Sequence, residues 1–526
     1  MALATRCFQP SLDSDYLYPE RFVRDLLDGR YPLSGWSISS SPYLFPDFAL
    51  CALLRLATGG APVLPYYVVA SYAALALASG WALSRAVPGR WAGWLAGVVL
   101  VNLVLAMRGL GDDSRWLWWL GTATFHGGAV WMGLALFAVW TGPAEEPPSG
   151  RAAAAAGVLM ILGGVSDALF LTQFVLPLLA ALAIGWGPGW WRGARARSFL
   201  VSLGFTVAAS AAWRTTAGLL GWWGVPRVFR FLPTPAAVTA AAAAFSGDLS
   251  GPMVRSVGAF MALFVLASAA AAALSAFGKS SGDGGNLRTR QASWFAALCL
   301  ASTVSMPIVA VYWRNPQNGR YLLPALILPS WWLLSRSGPM IRRAAGRSLL
   351  LRRMLLAGIA AGFGAAILLS AGGVRTAAWA WPYPDSVARF DRFVAERGLR
   401  SGLADYWRAH YLGTLSRGGV HLDQVRPDGD VQFWDNNAFH HFIPGGDGRL
   451  YPPLCDYIVA DGLDRNALLS RFGAPESIGS AGGYEVWIYR RDAALSMSAA
   501  VDARVRSFLG GRPGTERLAP AGTPFR

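Results

Sequence analysis

Ten runs of apolar residues, nearly free of charge, restrict this chain to folds that bury long stretches of backbone away from water. They lie at about 62–84, 91–107, 117–140, 152–165, 169–187, 198–218, 253–277, 293–312, 321–335 and 354–374. A helix needs roughly 20 residues to cross a bilayer, fewer when its neighbours shield its ends. Two runs are short, and Ser166 with Asp167 breaks the pair at 152–187 into a tight turn at one membrane face. Only 14% of the residues are charged, where a soluble protein carries about a quarter. A soluble globular enzyme is thereby excluded, and the pattern predicts a mainly α, polytopic transmembrane bundle over 62–374.

The formal net charge is +16, almost all of it from arginine, since Lys279 is the only lysine. A Lys-rich nucleic-acid tail is ruled out, and the arginine bias reads most simply as codon composition. Basic residues cluster in alternate loops, and the positive-inside rule turns that into an orientation. The cytoplasmic set is Arg85 and Arg90; Arg192, Arg195 and Arg197; Lys279, Arg288 and Arg290; and the arginines from Arg336 to Arg353. Cytoplasmic loops hold 15 basic and 3 acidic residues, outer loops with the N-terminal segment 13 and 10, and the part after residue 374 holds 18 and 17. The excess is therefore a topology signal that gives no support for a nucleic-acid partner. Both chain ends fall outside the membrane. Met1 to Pro10 has no apolar signal-peptide core, so the expectation is that a first helix is missing from the N-terminus. Cys7, Cys51, Cys299 and Cys455 show no paired spacing that implies a disulfide or metal framework.

Residues 1–61 form an outer N-terminal segment. Phe22, Val23, Leu26 and Leu27 recur at helical spacing, with Arg21, Arg24, Asp25 and Asp28 on the other side. This predicts an amphipathic helix lying in the membrane interface. Phe45, Phe48, Leu50, Leu53 and Leu54 predict a second. Carboxylates beside a membrane are costly to desolvate and so are functional candidates. Here these are Asp13 and Asp15 in SLDSDY, Asp112 and Asp113 in GLGDDSRW, and Asp167. Each alone reads equally as solvated loop or turn. Their gathering on one side, with Arg314 and Arg320 in WRNPQNGRYLLP, favours a site. His126 in TFHGG, about three turns into its expected helix, reads as a packing histidine.

These features together resemble the GT-C class of polytopic glycosyltransferases, which includes oligosaccharyltransferases, protein O-mannosyltransferases and lipid A aminoarabinose transferases. The resemblance rests on an acidic motif in the first outer segment (Asp13, Asp15), interfacial helices after it, a second acidic pair (Asp112, Asp113), and Arg320, Tyr321 and Pro324 opening a late helix. The class normally has a membrane helix before the first acidic motif, and this sequence does not. The resemblance implies inverting transfer of a sugar from a polyprenyl-phosphate carrier to a glycan, lipid or protein acceptor, at the outer face of a bacterial cytoplasmic membrane. In that chemistry Asp15, with Asp13 behind it, deprotonates or orients the acceptor. Arg320, with Arg314, Arg227, Arg230 and Tyr321, would hold the leaving phosphate. Asp112 and Asp113 position the acceptor or hold Mg or Mn, which favour oxygen ligands.

After residue 374 the apolar runs stop. Helices at about 385–398 and up to 416, strands in GVHLDQV, DYIVADG and YEVWIYRR, and a helix over 464–472 predict a small outer α/β domain over 375–492 with a partly parallel sheet. An Ala/Gly/Pro-rich tail over 493–526 is expected to be disordered. Asp405, Tyr406, Trp407 and His410 sit near a strand end, where α/β sheets bind ligands. Trp434, Asp435, Asn436, His440 and His441 form a second cluster whose composition suits a sugar ring and equally a folded lid with core aromatics. His440 and His441 are adjacent, so they point in different directions and a metal site there is disfavoured. A transporter or flippase for lipid-linked glycans is the rival reading, and a membrane scaffold with an outer binding domain is the third. A transporter would place polar groups near the midplane and show repeat symmetry, neither of which the sequence shows.

Overall fold

A computed structural model of the chain describes residues 14–38, 42–59, 63–86, 126–219, 287–309 and 383–521, with isolated positions between 234 and 243 and between 324 and 332. The N-terminal segment contributes α1 (Ser14–Asp28), a two-residue strand β1 (Trp36–Ser37) and α2 (Ala49–Ala57). Six of the ten apolar runs coincide, wholly or in part, with helices. These are α3 (Leu64–Ala86), α4 (Gly127–Trp140), α5 (Gly150–Ser166), α6 (Leu176–Trp186, entered through Ala168–Phe170 and the wider turn Leu171–Val175), α7 (Ala194–Leu219) and α8 (Leu287–Val309). The runs at 91–107, 253–277 and 354–374, and most of 321–335, lie outside the described residues. Among those described, one stretch, Ala194–Ala217, is long and apolar enough to cross a membrane; Gly127–Trp140, Gly150–Ser166 and Leu171–Trp186 are apolar but shorter.

The helices pack in pairs, α3 on α4, α5 on α7 and α6 on α8. Glycines permit the closest approaches between these helices. A Cβ on Gly164 would stand 2.6 Å from the Thr206 methyl, and Gly133 lies directly against the Phe174 ring. At one end of the pairs Arg195 donates from Nε to the carbonyls of Pro143 (3.0 Å) and Glu146 (2.7 Å), and from Nη1 to those of Val139 and Thr141 (3.1 Å each). Gln291 Oε1 accepts from Gly142 N (3.0 Å) at the same end. Arg85, Arg195 and Arg288 come together there, at the end that the loop charges assign to the cytoplasm. At the opposite end the 42–48 segment meets the turn at Ser166 and Asp167.

The C-terminal part is an α/β domain. Helix α9 (Asp385–Glu396) precedes β2 (Ser401–Asp405), α10 (Tyr406–Leu415), β3 (His421–Val425), the short β4 (Asn436–Asn437), β5 (Cys455–Val459), α11 (Arg465–Phe472), β6 (Ser477–Ala481) and β7 (Tyr484–Ile488). The five-stranded sheet runs β3-β2-β5-β7-β6, with β3, β2 and β5 parallel and the last two strands antiparallel. The expected disordered tail is corrected over most of its length, because Arg491–Leu509 is a helix, α12. Ala494, Met497, Val501, Val505 and Leu509 recur every three or four residues and are buried. That stripe packs on β5, and Ala519 N donates to Leu450 O beyond it (2.9 Å).

The N-terminal segment docks on this domain: β1 pairs antiparallel with β4 and α1 packs on α10. On the polar side of α1, Arg24 and Asp28 are exposed while Asp25 is buried against the C-terminal domain; on the apolar side Phe22 and Val23 are buried while Leu26 and Leu27 are exposed. Glu20, also buried, accepts from Arg55 Nη1 and from Val63 N, both at 3.2 Å, and so fastens α1 to α2 and the start of α3. Leu53 and Leu56 of α2 are exposed, so the two helices together expose four leucines.

Candidate active site

The sequence places two αL residues at the point where α1, the 42–48 turn and the helix ends converge. Tyr43 has φ 52° and His126 has φ 62°, conformations that cost non-glycine residues energy and concentrate at functional sites. Asp167 caps the Ala168–Phe170 turn, with Oδ1 accepting from Leu169 N (2.9 Å). Its Oδ2 lies 2.5 Å from His126 Nδ1. A hydrogen on Nδ1 satisfies that contact, which leaves Nε2 as the basic atom, 3.3 Å from the Tyr43 hydroxyl. Tyr43 N donates to Ser166 O (3.2 Å) and Phe45 N to Ser166 Oγ (2.8 Å). Gly128 admits this turn, since a Cβ there would stand 2.5 Å from the Pro46 ring. Asp47, buried in the same turn, accepts from the Tyr67 hydroxyl. Tyr18 of α1 donates to Pro42 O (3.3 Å), which ties the helix that begins beside Asp15 to this cluster. His126 is buried and satisfied as expected, but it does not sit three turns into a helix: it immediately precedes α4 and pairs with Asp167.

A second cluster joins α1 to the outer domain. Arg21 Nη2 donates to His440 Nδ1 (2.6 Å), and His440 Nε2 donates to Asp25, 2.8 Å from the nearer oxygen. Asp25 Oδ2 also accepts from Trp36 Nε1 (2.9 Å) and Asn437 Nδ2 (2.8 Å). Burial lowers the pKa of Arg21 to about 10 and pushes His440 below its ordinary value, with the Arg21 charge acting in the same direction. Burial alone would raise Asp25, but its His440, Asn437 and Arg21 partners outweigh that and hold it below the carboxylate range. The adjacent His441 points elsewhere, its Nδ1 lying 2.7 Å from buried Asp423.

The outer-domain candidates separate by exposure. Asp405 caps α10 by accepting from Arg408 N (3.0 Å) and pairs with Arg408 Nη1 (2.7 Å). His410 is wholly buried, its Nε2 3.0 Å from Gln424 Oε1. Tyr406 is also buried, whereas Trp407 is 40% and Trp434 39% exposed. Tyr406 and His410 therefore support the two exposed indoles.

Asp15 falls in the first turn of α1. Asp13, Asp112, Asp113, Arg227, Arg230, Arg314, Arg320 and Tyr321 lie outside the described residues. Among the described residues no group of three or more His, Cys, Asp or Glu side chains is arranged to hold a metal ion. Sequence reasoning missed Tyr43, and it read Arg21 and Asp25 as a polar face. The available signal was a buried-type partner, His440, about 415 residues away, which periodicity cannot reveal.

No protein-family model matches the chain, and no curated protein matches it. Among solved structures, the crystal structure of the Archaeoglobus fulgidus oligosaccharyltransferase in complex with zinc and sulfate is similar to it. That similarity covers 85% of this chain and 63% of that one, at 13% sequence identity and a TM-score of 0.36. The chain thus spans less than two thirds of that enzyme's length.

Proposed function

We propose that the protein is a membrane glycosyltransferase that moves a sugar from a polyprenyl-phosphate carrier to an acceptor at the outer face of the cytoplasmic membrane. The observation that carries this reading is the position of α1. The helix that begins beside Asp15 is wedged between the Tyr43–His126–Asp167 cluster on one side, reached through Tyr18, and α10 of the outer domain on the other. Carboxylates, an imidazole and a guanidinium from segments far apart in sequence are gathered at one end of the helices. Transfer from a lipid phosphate at a membrane face requires such groups together.

In this mechanism Asp15 takes the proton of the acceptor hydroxyl or amine as it attacks the anomeric carbon, with Asp13 as the second candidate for that role. Arg320, with Arg314, Arg227, Arg230 and Tyr321, stabilises the departing phosphate. The Asp167–His126 pair holds a proton on Nδ1 and presents basic Nε2 towards Tyr43, a second place where a proton can move. The exposed leucines of α1 and α2 keep this assembly at the level of the lipid carrier's headgroup.

The test is transfer from a purified polyprenyl-phosphate sugar to a panel of glycan acceptors by the full chain in lipid nanodiscs. Asp15→Asn keeps the shape of the side chain and removes its basicity, so transfer is expected to fall by about 100-fold or more. Transfer by Asp15→Asn at the wild-type rate would overturn the assignment.

A further inference from the structure

The C-terminal domain carries a partly exposed aromatic surface. Trp434 stacks on Tyr406 with ring centroids 5.3 Å apart and planes within 19°, and Trp407 meets the same tyrosine edge to face at 4.9 Å. Tyr406 is buried and fixed, while the two indoles are each about two-fifths exposed. The mounting is rigid. His410, behind Tyr406 at 4.8 Å, holds Gln424, and the Gln424 amide donates to Trp434 O (3.0 Å). Asp435, next to Trp434, has φ 48°, so the chain accepts an unfavourable backbone conformation at the residue following this indole.

The surface lies at the carboxyl ends of the parallel strands. The chain leaves β2 towards β3 on one side and later places β5 on the other, so the strand order reverses between β2 and β5, the place where open α/β sheets bind ligands. Its border there is polar: Asp405 and Arg408 form their ion pair at this edge, and the Gly462 backbone, at φ +77°, closes on Asp405.

We propose that Trp434 and Trp407, mounted on Tyr406, form a saccharide-stacking platform that receives the acceptor glycan. A pyranose ring presents one face of C–H bonds that fits a flat π surface, and its hydroxyls need polar groups around that surface. Two partly exposed indoles bordered by an ion pair meet both needs. Lipid contact has a different signature on this molecule, the aliphatic set Leu26, Leu27, Leu53 and Leu56. The platform also adjoins the proposed site, because its helix α10 packs on α1. The identification of the bound sugar as acceptor rests on the glycosyltransferase reading; the binding of a saccharide does not.

The experiment measures binding of mannopentaose and galactopentaose to the full chain in nanodiscs by saturation-transfer NMR and calorimetry. It compares wild type, Trp434→Ala, Trp407→Ala and Trp434→Phe, with thermal melting to verify folding. The expected result is binding of at least one oligosaccharide, weakened ten-fold or more by either alanine and largely restored by Trp434→Phe. With transfer measured in parallel, the alanine variants should raise the acceptor KM more than they lower kcat. Oligosaccharide binding that is absent in wild type, or unchanged in folded Trp434→Ala, overturns the platform. If no donor supports transfer while Trp434-dependent binding remains, the glycosyltransferase reading fails and the platform stands.

Discussion

His440 shows how one residue can hold two parts of the molecule in register. It accepts from Arg21 through Nδ1 and donates to Asp25 through Nε2, an arrangement only the neutral ring can make. Asn436 Oδ1 lies 3.3 Å from the same Nδ1, and Tyr31 and Trp36 meet the ring edge to face. A proton added at Nδ1 would face the Arg21 guanidinium, and burial already favours the neutral form. The folded pKa is therefore depressed, so the contribution of His440 to stability is fully present above its unfolded value of about 6.5 and is lost as pH falls below that. Asp25 acts in the same direction at lower pH, since its depressed folded pKa gives a contribution that disappears as the carboxylate protonates. Limited proteolysis of the 29–38 segment in nanodiscs should accelerate between pH 7.5 and 5.5. His440→Gln, a neutral side chain that cannot titrate, should flatten that dependence. An unchanged pH profile in the variant would show that another group governs docking.

At the scale of elements, the sequence reveals each helix more readily than its partner. Run length and loop charge anticipate α3 to α8, because their apolar character is a local property. The two faces of α1 were legible, with Phe22 and Val23 buried and Arg24 and Asp28 exposed, but periodicity could not show that Arg21 and Asp25 meet partners more than 400 residues away. The periodic stripe of α12 was present at Ala494, Met497, Val501, Val505 and Leu509, but Ala- and Gly-rich composition masked it. Tyr43, His126 and Asp167 were individually visible, yet nothing local in the sequence brings them together. Arg195 shows what fixes such elements once formed. Its guanidinium reaches four carbonyls at the end of α4 and the following turn, where a cation also suits the helix C-terminus. Lysine keeps the charge but lacks the planar fork. Arg195→Lys should therefore cost on the order of 2 kcal/mol, seen as a lower melting midpoint, with oligosaccharide binding unchanged. A midpoint equal to wild type would mean that the fork is dispensable.

For the whole molecule, docking of the first helix on the last domain constrains topology more strongly than any single loop. Trp36 pairs with Asn437 and Ser37 with Asn436, so the N-terminal segment and the outer domain must share one side of any membrane. The arginines gathered around Arg195 mark the opposite end of the helices, and the positive-inside rule assigns that end to the cytoplasm. Single cysteines at exposed positions can test both statements in intact cells, in a background with Cys7 replaced by serine; Cys51, Cys299 and Cys455 are buried. A membrane-impermeant thiol reagent should label Arg30→Cys and Asp447→Cys from outside, and should label Pro188→Cys only after permeabilisation. The first two positions must behave alike whatever the orientation, because β1 and β4 hold their segments together. Different labelling of Arg30→Cys and Asp447→Cys would mean that the strand pairing does not exist in the membrane. Labelling of Pro188→Cys alone in intact cells would keep the pairing and invert the molecule, placing the proposed transfer site on the cytoplasmic face.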